Sequence, residues 1–153
     1  MANDPERPEA DADGTPPRRL TAERVERAVY VARNDRGAEV RIGGPDAEAA
    51  FTPGELLQIA AASCAALSAD HVLSSKLGLD FDATFSVEGD GVRGENRYSA
   101  IRSTVVVDMS EIDTEKQTAL VERAVKAVDR LCSVGRTIKQ SATAEVELLA
   151  DQG

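Results

Sequence analysis

The sequence predicts an α+β domain in which two long helices pack against antiparallel strands. Three observations carry this expectation: strand-like alternation in paired runs at two places, an uninterrupted Ala- and Leu-rich stretch from Leu56 to Leu77, and a second apolar stripe at helical spacing between Val121 and Cys132.

Residues 1–20 hold Pro5, Pro8, Pro16 and Pro17 among Asp, Glu and Ala, with almost no large apolar group to offset the entropy of ordering. They are expected to form a disordered tail ahead of a single domain over residues 21–150. From Glu23 to Arg33, Val25, Val29, Tyr30 and Val31 predict one strand, Asn34-Asp35-Arg36-Gly37 a turn, and Ala38 to Ile42 its hairpin partner. Gly43-Gly44-Pro45-Asp46 then opens a loop that ends at Phe51.

Thr52, Pro53 and Glu55 form a complete helix start: Thr52 as N-cap, Pro53 at the first helical position, and Glu55 closing a capping box. The helix has no interior Gly or Pro beyond this start and stops at Gly78, so it runs for about 25 residues, or roughly 37 Å. Cys64, Leu67 and His71 share one face of it, beside the small residues Ala60, Ala61 and Ser68.

Phe81, Ala83, Phe85 and Val87 alternate, as do positions between Ile101 and Val107, and Gly89, Gly91, Gly94 and Asn96 separate the two runs. A second helix starts near Ser110 or Asp113, carries Val121, Ala124, Val125, Val128 and Cys132 on its apolar stripe, and is ended by Gly135. A last strand is expected from Ala142 to Leu149, with Val146 and Leu148 on one face.

Composition narrows the function classes. In 153 residues there are 3% aromatics and no Trp, so the core must be built from Ala, Val, Leu and Ile and is thin for a monomer. A homodimer is expected. The net charge of -9, with no basic stripe, sets the chain against nucleic acid. Apolar runs fall short of a membrane span of about 20 residues and the N-terminus lacks a leader pattern, so a cytoplasmic protein without membrane contact is expected.

Cys64 and Cys132 stand 68 positions apart in no metal-spaced cluster. A zinc site would need Cys64, Cys132, His71 and Asp70 to converge from unrelated positions, so no metal is expected. If the two helices pack together the thiols can meet; small buried gap-fillers and a redox pair both fit the pattern. His71, two turns or about 10 Å from Cys64 along the axis, is too distant to act as its base and reads as structural.

The segment FTPGELLQIAAASCAALSADHVL, with AVDRLCSVGRTIKQSATAEVEL further on, resembles the OsmC/Ohr family of thiol peroxidases over roughly residues 24–149, including the hairpin that ends in RGAEVRIGG. The resemblance implies an intertwined homodimer with central helices enclosed by sheets. It implies reduction of organic hydroperoxides by Cys64 through a sulfenic acid that Cys132 resolves to a disulfide, with no bound cofactor and an external dithiol reductant, lipoyl-type in some members.

On the same expectation Cys64, mid-helix, feels neither helix end, while Cys132 lies near a helix C-terminus that disfavours its thiolate. The resemblance then implies an activating arginine from the first hairpin: Arg27 matches best, with Arg24, Arg33 and Arg36 as alternatives. Two positions depart from the family pattern. Gly54 stands where a Glu usually holds that arginine, leaving Glu55, one residue on, as the carboxylate, although its capping role explains it fully. Ser133 follows Cys132 where Pro is usual. Two other functions remain open: a dimer that binds a small lipophilic ligand without catalysis, and a redox sensor.

Overall fold

A computed structural model of the chain describes residues 20–141 and Ala144. The expected tail, apart from Leu20, and the expected strand from Ala142 to Leu149, apart from Ala144, lie outside the described residues. The chain divides between Pro53 and Gly54 into two compact units.

The first unit is an antiparallel meander of β1 (Thr21–Glu26), β2 (Val29–Arg33) and β3 (Glu39–Gly43), in that order across the sheet. The single strand expected from Glu23 to Arg33 is therefore two strands. The chain reverses at Arg27 and Ala28, with Ala28 in the left-handed region at φ 56° and a register shift between Arg24 and Glu26. An Ala at positive φ is uncommon, which is why propensity gives no warning of this turn.

The second turn follows expectation. Asn34 Oδ1 accepts from the backbone N–H of Arg36 at 3.0 Å and of Ala38 at 2.9 Å, and Gly37 takes φ 84°. Val29 and Val31 are the buried side chains of β2. Arg33 is engaged by Glu23 at 3.6 Å and Glu39 at 2.8 Å, and Arg41 pairs with Glu26.

The second unit holds α1 (Pro53–Leu77), β4 (Ala83–Gly91), β5 (Tyr98–Val107), α2 (Thr114–Leu131) and α3 (Ser133–Gln140). The fold is α+β with antiparallel sheets, as expected, but with three helices rather than two. Helix α1 ends at Gly78, which takes φ 94° and donates its N–H to the Ser74 carbonyl at 3.0 Å. Strands β4 and β5 form a long hairpin, with Ala83 opposite Val107. Asp113 caps α2, its side chain accepting from the Lys116 N–H at 3.0 Å.

Ala69 and Leu73 of α1 pack with Leu120 and Ala124 of α2 to form the core, flanked by Phe81, Val107, Met109, Ile112 and Val128. An alanine and a leucine from each helix make up this contact. By length and composition alone α1 is long and apolar enough to cross a membrane, which the sequence reading had not allowed. Its Ala69 and Leu73 nevertheless sit in the core cluster, the position of a core helix.

The second correction concerns α2. It does not continue to Gly135: Cys132 takes φ -72° and ψ 93°, an extended conformation, and a separate helix starts at Ser133. Neither Gly nor Pro marks this break. Cys132 closes α2 by donating its N–H to the Val128 carbonyl at 2.9 Å and accepts the Arg136 N–H at 3.1 Å as the first residue before α3.

Candidate functional site

The α1–α2 packing that builds the core also carries Cys64, midway along α1, to the joint between α2 and α3. Cys64 is half-buried and Cys132 is buried, with 5% of its surface exposed. The Cys64 sulfur lies 3.9 Å from the Ser133 hydroxyl oxygen, and the two thiols are near enough to influence each other's ionisation. His71 is exposed on α1, two helical turns from Cys64.

The two thiols are shifted in opposite directions. Burial pushes Cys64 up, but the Val134 N–H, the Cys132 thiol, and the Ser133 hydroxyl and N–H together outweigh it and hold Cys64 below the ordinary thiol range. Burial also pushes Cys132 up; the Gly135 N–H and Lys139 oppose this in part, while Cys64 adds to it, and the result lies above the ordinary range.

These contacts correct the expectation that no helix end reaches Cys64. Its own helix offers none, but the first turn of α3 points unpaired N–H groups toward it, and such groups favour a negative charge. Gly135 fits this turn because a Cβ there would sit 3.1 Å from the Cys132 sulfur.

A groove of about 260 Å³ opens at Cys132. Ala61, Ala65, Ile101 and Val128 supply its apolar wall, with Arg136 and Lys139 at its rim. An apolar groove that shares Ala65, Ser103 and Val128 with it extends along α1 and α2 to Leu73 and Val107.

Gly54, the position that departs from the resemblance, is filled from a distance. A Cβ there would fall on the Tyr98 hydroxyl, and one at Gly89 would lie 2.7 Å from the Tyr98 ring. The two glycines thus make room for Tyr98. Gln58 Nε2 donates to the Tyr98 hydroxyl at 3.2 Å and to the Gly54 carbonyl at 3.3 Å. No carboxylate fits at position 54 with the ring in place. Glu55 is exposed in the first turn of α1.

Arg27 is exposed in the turn between β1 and β2, at a cavity lined also by Glu26, Arg41, Asp46 and Glu48. Among the described residues Arg24 and Arg27 have no ion-pair partner, whereas Arg33 pairs with Glu23 and Glu39, and Arg36 with Asp35. Sequence reasoning missed Ser133 and Val134 as parts of the site, and Tyr98 as the side chain that Gly54 makes room for. For Ser133 a signal existed, its place directly after the second cysteine; for Tyr98 there was none. Among the described residues no three His, Cys, Asp or Glu side chains group to hold a metal.

The opposite shifts carry a prediction. A thiol held low is ionised, and so nucleophilic, at lower pH than one held high. As pH rises from 5, limiting iodoacetamide should therefore alkylate Cys64 well before Cys132, read by peptide mass mapping; equal or reversed labelling would contradict the assigned order.

The comparisons place the fold in a known family. The profile of the OsmC-like protein family matches residues 44–147. An uncharacterized protein of Mycobacterium tuberculosis, Rv2923c, is 37% identical over 130 residues, covering 85% of this chain and 95% of its own length. Among solved structures, a hypothetical protein from Aquifex aeolicus VF5 superposes with a TM-score of 0.63 at 21% identity, over 81% of this chain and 88% of its own. The organic hydroperoxide resistance protein OhrB of Bacillus subtilis superposes with a TM-score of 0.50 at 22% identity, over 82% and 92%. By the profile over residues 44–147 and the 37% identity to the mycobacterial relative, the chain belongs to the OsmC-like protein family.

Proposed function

We propose that the chain is a cysteine-based reductase of organic hydroperoxides. The observation that carries this reading is a half-buried thiol held low beside a buried thiol held high, the buried one lining a largely apolar groove. The low thiol is the attacking group and the high one its resolving partner.

The Cys64 thiolate attacks the terminal peroxide oxygen, the O–O bond breaks, and the alkoxide leaves as the alcohol after taking a proton. Cys64 is then a sulfenic acid. Cys132 attacks that sulfur, a disulfide forms, and the sulfenic oxygen departs as water. Two electrons from the thiol pair have reduced the peroxide, and an external dithiol, lipoyl-type or similar, returns them. The apolar groove at Cys132 suits an organic substituent better than hydrogen peroxide itself.

Anaerobic titration of the reduced protein with cumene hydroperoxide tests this. One equivalent should consume both thiols; Cys64→Ser should consume no peroxide, and Cys132→Ser should consume one equivalent and retain a sulfenic acid at Cys64. Equal consumption by wild type and Cys64→Ser would favour instead a dimer that binds a lipophilic ligand in the groove.

Arg27 is the cation we assign to Cys64 on the family resemblance; like Arg24, it has no ion-pair partner among the described residues. Arg27→Met should move the pH dependence of Cys64 alkylation upward, and Arg27→Lys should restore part of it, because an ammonium keeps the charge but not the planar fork. An unchanged profile would remove Arg27 from the site.

The unit in action is proposed to be a homodimer. Leu67 at 74% exposure, Val106 at 62% and Leu131 at 55% leave large apolar side chains uncovered in one chain. Light scattering at micromolar concentration should give twice the 16.2 kDa chain mass; a monomer would refute the assembly.

A further inference from the structure

We infer that Ser133 is a positioning residue for Cys64, its hydroxyl and backbone N–H together holding the thiolate at the first turn of α3. The inference rests on reading Cys64 as the reacting thiol. It adds a residue that the cysteine pair alone does not require.

The geometry comes from the chain break. Ser133 is the first residue of α3, immediately after the extended Cys132, so neither its N–H nor its side chain is committed to α2. Its hydroxyl oxygen is 3.9 Å from the Cys64 sulfur, within the longer reach of a sulfur acceptor. Other hydroxyls near Cys64 along α1 point elsewhere: Ser68 donates to the Cys64 carbonyl at 2.7 Å and Ser63 to the Ala60 carbonyl at 3.4 Å. Ser133 is thus the side-chain hydroxyl that meets this sulfur among the described residues.

The charges of α2 and α3 at the groove do not do this work instead. Arg136 and Lys139 of α3 and Asp129 of α2 line the groove at Cys132, and Lys139 acts on Cys132. From β5 the groove receives Ile101 and Ser103, neither of them charged. The contributions that favour the Cys64 thiolate come from Val134, Cys132 and Ser133.

Ser133 is exposed, so it can be changed without opening the core. Proline is also tolerated there. The first helical position needs no N–H, and the preceding residue is already extended, at ψ 93°. Three variants therefore separate the parts: Ser133→Thr keeps the hydroxyl and N–H, Ser133→Ala loses the hydroxyl, and Ser133→Pro loses both.

The test is the pH dependence of Cys64 alkylation by iodoacetamide in the full chain, followed by peptide mass mapping, with circular dichroism to confirm folding. Ser133→Ala should move the profile upward and lower the thiolate fraction at pH 7 roughly three- to tenfold, the weight of one hydrogen bond to an anion at a half-exposed site. Ser133→Thr should return it to wild type, and Ser133→Pro should move it at least as far as alanine does. Wild-type profiles in both the alanine and proline variants would overturn the inference. So would a proline shift without an alanine shift, which assigns the effect to backbone alone, or an alanine shift that threonine leaves uncorrected, which marks a merely structural role. Because alkylation needs no peroxide, a wild-type protein that consumes no hydroperoxide while the variants titrate as expected would refute the peroxidase reading and leave the role of Ser133 standing.

Discussion

The interruption of the helix at Cys132 is the constraint on which the site depends. In a continuous helix the N–H groups of Ser133 and Val134 would each be bound to a carbonyl four residues earlier, leaving nothing for a sulfur on the neighbouring helix. By leaving helical geometry for one residue, the chain ends one dipole and begins another. The carbonyl end of α2 stops at Cys132, and the amide end of α3 starts beside Cys64. Both cysteines are held by this one joint, yet Cys64 meets the favourable end and Cys132 pays the larger burial cost.

What the sequence made legible was whatever local chemistry decides. The start of α1 at Pro53, its stop at Gly78, the Asn34 turn and the Asp113 cap all follow from residues whose side chains or φ preferences act within a turn. The reversal at Arg27 and Ala28 and the break at Cys132 lack such markers. Neither carries a Gly or Pro to mark it, and propensity is silent there. The cysteines were legible as positions on apolar stripes and through the family resemblance. Their relative acidity was not, because the groups that set it arrive from a helix that periodicity merged with its predecessor.

Position 54 shows the same limit. Its departure from the family pattern was visible as a missing carboxylate, but the reason for a glycine lies in Tyr98, on a strand 44 positions away in sequence. The likeness to solved structures at about one-fifth identity establishes the common framework of helices and sheets. Within that framework Gly54 with Tyr98, at the start of α1, and Ser133 after Cys132, beside the thiols, are where this chain departs from the pattern of the resemblance.

The separation of the two cysteines along the chain has a thermodynamic side. A bond between them would close a loop of 68 positions, and closing a loop of that length removes from the unfolded chain conformational freedom equivalent to about 4 kcal/mol. The relation is reciprocal: whatever the bond adds to the stability of the fold, the fold adds to the stability of the bond, by presenting the sulfurs to each other at an effective concentration that the loose chain never attains. Oxidation and folding are then coupled equilibria, so a chain caught in its oxidised form would resist unfolding more than its reduced counterpart, and a partly unfolded chain would surrender its disulfide more readily.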